Sequence, residues 1–192
     1  MTWSDTLLTS LKENNVRLVA YVPDKVLVPL IEGVEDDDYF ETVTATREEE
    51  AVGIVCGSFM GGTRGVLMMQ TSGFGNTINA LASLVVSYQL PLLMIISERG
   101  VLGEFNPCQV PITRTIRPTL DALGIYHTTL ERESEVGFLA DRLIQQCFQT
   151  QAPAALILSP LLTGGKQDAA WDQHDTVGKT AQRATASSLG RG

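Results

Sequence analysis

The stretch GVLMMQTSGFGNTINALASLVVSYQLPLLMIIS, residues 65–97, decides the fold of this chain. It opens with one apolar run, GVLMMQ (65–70), and closes with a second, LPLLMIIS (90–97). Between them the pattern predicts a Gly-rich turn, TSGFGN (71–76), that leads into a helix over 75–88. Two buried strands joined by a helix predict a parallel pair, because parallel neighbours need a long crossover connection.

The alternation of strand and helix patterns continues on both sides of this unit. The other apolar runs predict strands over 17–22, 39–45, 124–130 and 152–159. Helical spacing predicts helices over 4–14, 24–34, 47–60, 115–123 and 134–149, the second of them kinked or interrupted at Pro29. Residues 98–113 lack periodicity and are expected to form a loop. The pattern predicts an α/β three-layer sandwich with a six-stranded parallel sheet covered on both faces.

The chain length fits one domain with a sizeable core, since there are 192 residues and 44% of them are hydrophobic. Residues 163–192 are rich in Gly, Gln, Thr, Ala and Ser and poor in apolar residues. We therefore expect a single domain over 1–162 and a flexible C-terminal tail over 163–192.

The charge and composition of the chain limit the kinds of partner that it is expected to bind and the cellular compartment in which it is expected. The net charge of −8, without a cluster of Lys or Arg, argues against nucleic acid. No basic segment followed by an apolar block opens the chain, and the run ALASLVVSYQLPLLMII reads as a helix and a buried strand rather than a membrane span. The three cysteines (Cys56, Cys108 and Cys147) lack metal-ligand spacing and are expected to be buried in a reduced protein. We expect a cytoplasmic protein without its own metal site.

Three segments that follow predicted strands carry unusual chemistry: VPD (22–24), TATREEE (44–50) and QTSGFGN (70–76). In open parallel sheets, ligands bind beyond the carboxyl ends of the strands. We therefore expect these segments to lie close together and to form the functional edge of the sheet.

The three adjacent glutamates of TATREEE have different expected roles. Thr46 and Glu49 have the spacing of a capping box, in which both side chains satisfy free amides of the first helical turn, and Glu50 falls on a solvated side. Glu48 instead heads the most apolar side of the helix, together with Val52, Val55 and Phe59. A carboxylate facing a core is costly unless it is paired, solvated or protonated. If the start of the helix is solvated, Glu48 is simply a surface residue. If it is not solvated, Glu48 is expected to have a function.

Five segments, in this order and spacing, resemble the pyrimidine-binding domain of thiamine-diphosphate-dependent enzymes: VPDKVL (22–27), REEEAVGIVCG (47–57), MMQTSGFGNTINALASL (68–84), ISERG (96–100) and LDALGI (120–125). The resemblance runs from about residue 4 to about residue 160. It is strongest to sulfopyruvate decarboxylase alpha subunits and to the N-terminal half of phosphonopyruvate decarboxylases. It supports the fold expected from the apolar runs.

The resemblance implies roles for individual residues. In this family a glutamate nine residues before a helix glycine hydrogen-bonds the aminopyrimidine of thiamine diphosphate, and Glu48 precedes Gly57 by nine residues. Glu48 is then expected to share a proton with the ring and to favour its imino tautomer. The segment around TSGFGN is expected to contact the cofactor, through Gln70, Thr71, Ser72, Gly73, Phe74, Gly75 and Asn76.

Within that segment, Gly73 and Gly75 are expected to allow close approach of the backbone to the ring, and Phe74 to form a wall for it. Taken alone, a Gly-rich turn that opens a helix is also a generic phosphate site, although no Gly-Lys-Ser/Thr follows it. Asp24 is either a catalytic acid at the same edge or a cap of the following helix.

The chain lacks Gly-Asp-Gly, which marks the family's second domain, the one that holds Mg²⁺ and the diphosphate. The resemblance therefore implies a partner, a beta subunit that carries Mg²⁺ and completes the site, together with self-association of pyrimidine-binding domains.

The expected substrate is a 2-oxo acid. A second anion on that substrate, as in sulfopyruvate or phosphonopyruvate, calls for a cation. Arg99, Arg114 and Arg117 are candidates, and each could equally be solvated or paired within the protein. Decarboxylation alone and decarboxylation followed by carboligation both remain open.

Two other functional classes remain. A catalytically silent α/β module for binding or assembly would have the same fold, but it would gain nothing from an inward Glu48. A flavodoxin-like or nucleotide-binding protein would carry a phosphate or flavin loop after the first strand, where the chain has YVPDKV (21–26).

Overall fold

A six-stranded parallel sheet forms the centre of the computed structural model, which describes residues 1–165. Its strands are β1 Val16–Tyr21, β2 Glu41–Thr44, β3 Arg64–Gln70, β4 Leu93–Ser97, β5 Tyr126–Leu130 and β6 Ala154–Leu158. The spatial order is β2-β1-β3-β4-β6-β5, and every neighbouring pair is parallel. The predicted α/β fold and the number of strands are confirmed.

Helices cover both faces of the sheet. They are α1 Trp3–Glu13, α2 Val28–Glu35, α3 Glu48–Met60, α4 Thr71–Ala80, α5 Gln109–Ala122, α6 Glu133–Thr150 and the short α7 Pro160–Thr163, and α4 continues as a π-helical segment, Leu81–Val86. Buried residues of α1, α2 and α6 form one core with the sheet, and those of α3, α4 and α5 form the other. This arrangement is the predicted three-layer sandwich.

The sequence pattern of the central strands follows from this double coverage. Strands β4 and β6 are buried at every position, and β3 is buried at all but its two ends. A strand packed on both faces has no solvent side, so it reads as a continuous apolar run rather than an alternation.

Strands β1 and β3 form the switch point of the sheet. The connection after β1 leaves through α2 toward one face, whereas the connection after β3 leaves through α4 toward the other. Two connections that diverge in this way open a crevice at the carboxyl ends of the strands, where ligands bind in this class of fold.

Several local predictions were wrong. Pro29 lies in the first turn of α2, where backbone N–H groups have no partner within the helix. The missing N–H of proline therefore costs no helical hydrogen bond, and Pro29 does not kink the helix. Helix α5 begins at Gln109 instead of 115, because Pro111 and Pro118 obscured its pattern. TSGFGN is the start of α4 and not a turn. Cys56 and Cys147 are buried, as expected, but Cys108 is exposed.

Two further sequence predictions concern the C-terminal tail and the apolar run of spanning length. Residues 166–192, most of the predicted tail, lie outside the described part of the chain, and Thr163 ends α7. Within residues 1–165, no helix is long and apolar enough to cross a membrane. The apolar run that raised this question is the end of the α4 region followed by β4.

The segment between β4 and α5 is organised around one buried ion pair. Arg99 Nε and Nη2 donate to Glu104 Oε2 and Oε1 at 2.8 and 2.7 Å, and the two side chains are 6% and 5% exposed. The fork of hydrogen bonds from Arg99, aided by the backbone N–H groups of Gly100 and Asn106, lowers the pKa of Glu104 from 4.5 to about 2. The predicted loop is therefore an ordered segment with its own polar core.

This pair predicts an acid-dependent loss of stability. Since the folded-state pKa of Glu104 is depressed, its contribution is present above about pH 4.5 and is lost as the pH falls toward 2. At pH 7 we expect Glu104→Gln to lower the free energy of unfolding by about 2–3 kcal/mol. Urea unfolding of wild type and variant between pH 7 and pH 2 measures this difference, which should shrink only below about pH 4.5. A difference that does not change with pH would contradict the assignment.

Candidate active site

The carboxylate of Glu48 points into the protein at the start of α3. The residue is 7% exposed, in agreement with its expected place on the apolar side of the helix. Glu48 Oε2 accepts a hydrogen bond of 3.0 Å from Asn76 Nδ2 on α4. Glu48 Oε1 accepts none within residues 1–165, so the site retains one inward carboxylate oxygen available to a ligand.

The neighbouring glutamates serve the helix end, but not as predicted. The N-cap is Arg47 instead of Thr46, and no side chain caps it. Glu50 Oε2 accepts from the Thr46 backbone N–H at 2.9 Å, and Glu49 Oε1 pairs with Arg47 Nε at 2.5 Å. The predicted capping box of Thr46 and Glu49 is wrong because the helix begins one residue later, which moves the third helical position to Glu50.

Gly73 and Gly75 make room for the protein's own side chains. A Cβ atom at Gly73 would lie 2.2 Å from Glu48 Oε1, and one at Gly75 would lie 2.9 Å from the Ile112 side chain on α5. Both glycines lie inside α4, and neither has a positive φ. Gly73 therefore admits the Glu48 carboxylate, while the close approach of both glycines to a cofactor ring stays a prediction.

The remaining residues of the TSGFGN segment divide into buried and accessible ones. Phe74 is fully buried in the core beneath α4, so the prediction that it forms a wall for a ring is wrong. Thr71 is buried and accepts a hydrogen bond from the Arg99 backbone. Gln70 and Ser72 are partly exposed, and within residues 1–165 their side chains make no hydrogen bond, which leaves them available to a ligand.

Asp24 lies at the same edge, held by Ser97, a residue without a predicted role. Asp24 Oδ1 accepts from Ser97 Oγ at 2.8 Å, at the end of β4, and from the Val26 backbone N–H at 3.1 Å. Asp24 is not the N-cap of α2, which is Leu27, but its bonds to the Val26 and Leu27 N–H groups cap the turn that leads into this helix. Ser97 belongs to the ISERG segment, so its position, though not its role, was visible in the sequence.

The three candidate arginines have different surroundings. Arg99 is held by Glu104, and Arg117 donates to Glu98 Oε1 at 2.5 Å and to Thr129 Oγ1 at 2.8 Å. Arg114 is exposed on α5 and has no carboxylate partner within residues 1–165. In this conformation Arg114 is the candidate with a free guanidinium group.

The edge thus combines an inward carboxylate, a second buried acid and nearby accessible amide and hydroxyl groups. Glu48 and Asn76 come together as expected, and Asp24 is linked to β4 rather than directly to them. No group of three His, Cys, Asp or Glu side chains within residues 1–165 is arranged to hold a metal ion. The residues suit a polar heterocycle that needs a proton-sharing partner.

Comparison with known proteins identifies the family. Residues 1–104 match the family described as thiamine pyrophosphate enzyme, N-terminal TPP binding domain. The chain is 36% identical over 161 residues to the sulfopyruvate decarboxylase subunit alpha of Methanocaldococcus jannaschii, covering 84% of this chain and 95% of that protein.

Two further relatives are longer proteins. The chain is 31% identical to a sulfopyruvate decarboxylase of Methanosarcina acetivorans, covering 87% of this chain but 42% of that protein. It is 39% identical over 98 residues to a phosphonopyruvate decarboxylase of Streptomyces hygroscopicus, covering 51% of this chain and 24% of that protein.

The fold also matches a solved structure, the 2-oxoglutarate:ferredoxin oxidoreductase from Magnetococcus marinus. The TM-score is 0.65 at 11% identity, over 85% of this chain and 29% of that one, so this likeness concerns the fold alone. The chain belongs to the thiamine pyrophosphate enzyme family, in which its nearly full-length relatives are alpha subunits of sulfopyruvate decarboxylase.

Proposed function

We propose that this chain is the pyrimidine-binding alpha subunit of a two-subunit, thiamine-diphosphate-dependent 2-oxo acid decarboxylase, and that Glu48 activates the cofactor. The names and coverage of the relatives support the subunit and the reaction class. The observation that carries the role of Glu48 is its inward carboxylate, with Asn76 on Oε2 and no partner on Oε1 within residues 1–165.

The residues at the edge fit the aminopyrimidine of this cofactor. When bound, thiamine diphosphate supplies the electron sink for loss of carbon dioxide. Glu48 Oε1 is the group that would hold and move a proton at a ring nitrogen, while Asn76 orients the carboxylate. Gln70 and Ser72 would donate or accept hydrogen bonds around the ring. Asp24, held by Ser97, is the second acid that could exchange a proton with the substrate.

The partner is a beta subunit that holds the diphosphate and Mg²⁺. Residues 1–162 would form the pyrimidine-binding domain, and this chain contains no Gly-Asp-Gly. The Methanosarcina acetivorans relative supports this division, since the region matched by this chain is 42% of a longer protein that is named sulfopyruvate decarboxylase without a subunit. We infer a hetero-oligomer in which pyrimidine-binding domains also self-associate. Three free cysteines favour the cytoplasm as its location.

The proposed substrate is sulfopyruvate, and Arg114 is the proposed contact for its second anion. The names of the nearly full-length relatives favour sulfopyruvate, whereas phosphonopyruvate is the alternative suggested by a match over half of the chain. Arg99 and Arg117 are already held by carboxylates, so they contribute less to this proposal. A carboligation step after decarboxylation is a further alternative.

The role of Glu48 predicts the outcome of one conservative substitution. Glu48→Gln keeps the size of the side chain and the contact with Asn76 but removes the shared proton. We expect the complex to assemble and kcat to fall at least about a hundredfold. Glu50→Gln is the matched control, because it removes the same charge from the same helical turn. Near-normal turnover by Glu48→Gln would overturn the assignment.

The contact at Gly73 predicts a loss of function without a loss of fold. Gly73→Ala places a methyl group against Glu48 Oε1 and must displace the carboxylate. Alanine in a helix otherwise stabilises by up to about 1 kcal/mol relative to glycine, so the melting temperature should not fall much. We expect kcat to fall about tenfold or more. The loss is smaller than that expected for Glu48→Gln, because Gly73→Ala displaces the carboxylate but does not remove it.

Gly137→Ala on α6 is the control for this experiment, because the nearest atom, on Thr6, would lie at 3.4 Å. The two variants are compared by thermal melting and by turnover of the assembled complex. Equal turnover of Gly73→Ala and Gly137→Ala would show that the position of the Glu48 carboxylate does not limit the reaction.

The partner predicts inactivity of the isolated chain. With thiamine diphosphate and Mg²⁺, the purified chain should release no carbon dioxide from sulfopyruvate or phosphonopyruvate. Addition of the beta subunit should restore turnover, and the ratio of kcat/KM for the two acids identifies the preferred substrate. Decarboxylation by the purified chain alone would refute the requirement for a partner.

A further inference from the structure

The ion pair of Arg99 and Glu104 lies beside the proposed active site and has no part in the function assigned above. Glu104 accepts four hydrogen bonds: two from the Arg99 guanidinium, one from the Gly100 backbone at 2.9 Å and one from the Asn106 backbone at 3.0 Å. Every one of these donors lies within five residues of Glu104. The Glu104 carboxylate therefore joins the two ends of the segment 99–106 by hydrogen bonds.

Arg99 connects this closed segment to two helices through its backbone. Its N–H donates to Thr71 Oγ1 at 3.2 Å, and its carbonyl accepts from the Thr113 hydroxyl. Thr71 is the first residue of α4, and Thr113 lies on α5. Gly100 adds a steric constraint, since it has φ +77° and a Cβ there would lie 2.3 Å from the Gln109 carbonyl oxygen. The segment is wedged between the two helices.

From Arg99, short connections lead to both acids of the proposed site. Helix α4, which starts at Thr71, carries Gly73 and Asn76, the two residues in contact with Glu48. In the other direction Ser97, two residues before Arg99, donates to Asp24. Displacement of Arg99 would therefore disturb the supports of both carboxylates.

We propose that Glu104 is a positioning residue: by clamping Arg99 it fixes the start of α4 and the end of β4, and so sets the placement of the Glu48 and Asp24 carboxylates. This inference rests on the proposed function for its catalytic consequence, but the mechanical link can be measured without it. It also assigns Arg99 to support of the site rather than to the substrate, since Nε and Nη2 are both engaged.

The electrostatics agree with this geometry. The hydrogen bonds that Arg99 donates to Glu104 raise the pKa of Arg99 most, and the nearby charge of Asp24 raises it further. An arginine that is 5% exposed and loses the Glu104 carboxylate would lose its hydrogen-bonded counter-ion and keep only the more distant charge of Asp24. Its guanidinium would then move toward Asp24 or toward solvent, and the backbone bond to Thr71 would weaken.

The test compares Glu104→Gln with Asp141→Asn in the complex of this chain and its partner. Glutamine keeps the size of Glu104 but places an amide donor where an acceptor is needed. Asp141 is the matched control, because it also accepts side-chain hydrogen bonds, from Asn14 and Gln145, and lies on α6 away from the proposed site. Both variants remove one negative charge at constant size.

Three measurements are made on each variant. For Glu104→Gln we expect hydrogen exchange in 71–76 and 97–106 to accelerate about tenfold or more, as loss of a hydrogen bond to a charged group should allow. Thiamine diphosphate should bind about tenfold more weakly by calorimetry, and kcat should fall about tenfold while the KM for sulfopyruvate changes less than about twofold. Asp141→Asn should leave all three within about twofold of wild type.

Other outcomes overturn the inference. Faster exchange confined to 100–106, with 71–76 and cofactor affinity unchanged, would make Glu104 a brace of its own segment only. A raised KM for sulfopyruvate with kcat retained would assign Arg99 to the substrate. If the wild-type complex neither binds thiamine diphosphate nor decarboxylates, the proposed function fails. Hydrogen exchange in residues 71–76 of Glu104→Gln still decides whether Glu104 fixes the start of α4. Arg99→Lys, which keeps the charge but loses the fork, supplies the same test should Glu104→Gln fail to fold.

Discussion

The contact between the Glu48 carboxylate and Gly73 is the constraint on which the proposed site depends. It requires α3 and α4, which follow different strands, to begin at one edge of the sheet and to approach within the width of a side chain. A carboxylate in this position would be costly without compensation, and the Asn76 amide supplies it on one oxygen. The other oxygen lies where a Cβ at position 73 would stand. The absence of a side chain at Gly73 thus creates the place that Glu48 occupies.

Much of the fold could be predicted from the sequence, because burial of the sheet on both faces produces a simple pattern of apolar residues. Strands such as LPLLMIIS and APAALILS are apolar throughout, and the helices between them have a regular period. The helical wheel also singled out Glu48, since direction around a helix follows from spacing alone. The lengths of the elements were less accurate: the run over 90–97 contains a strand of five residues, Leu93–Ser97.

The errors at the site have a common physical origin, because one residue type can serve several purposes. Glycine permits a turn, but it also permits close packing inside a helix, and the second use applies at Gly73 and Gly75. A difference of one residue in the start of α3 transferred the capping role from Glu49 to Glu50. The bond between Arg99 and Glu104 joins residues within an irregular segment, where no period relates sequence distance to spatial distance.

The buried acids at this edge fall into two classes. Glu98 and Glu104 are paired with arginines, and the hydrogen bonds from Arg99 lower the pKa of Glu104. Within residues 1–165, Glu48 and Asp24 accept hydrogen bonds only from neutral groups: the Asn76 amide, the Ser97 hydroxyl and the Val26 backbone. A neutral donor orients a carboxylate without adding a charge that opposes protonation.

This distinction separates the acids that pair with arginine from Glu48 and Asp24, the two acids proposed to act in catalysis. For Glu48, the neutral Asn76 amide fixes one carboxylate oxygen, and the other oxygen accepts no hydrogen bond within residues 1–165. The chain has arginines at the same edge, and they donate to Glu98 and Glu104 instead of to the two proposed catalytic acids. Arg117 and Arg99 thus pair with Glu98 and Glu104, whereas within residues 1–165 neither Glu48 nor Asp24 accepts a hydrogen bond from an arginine.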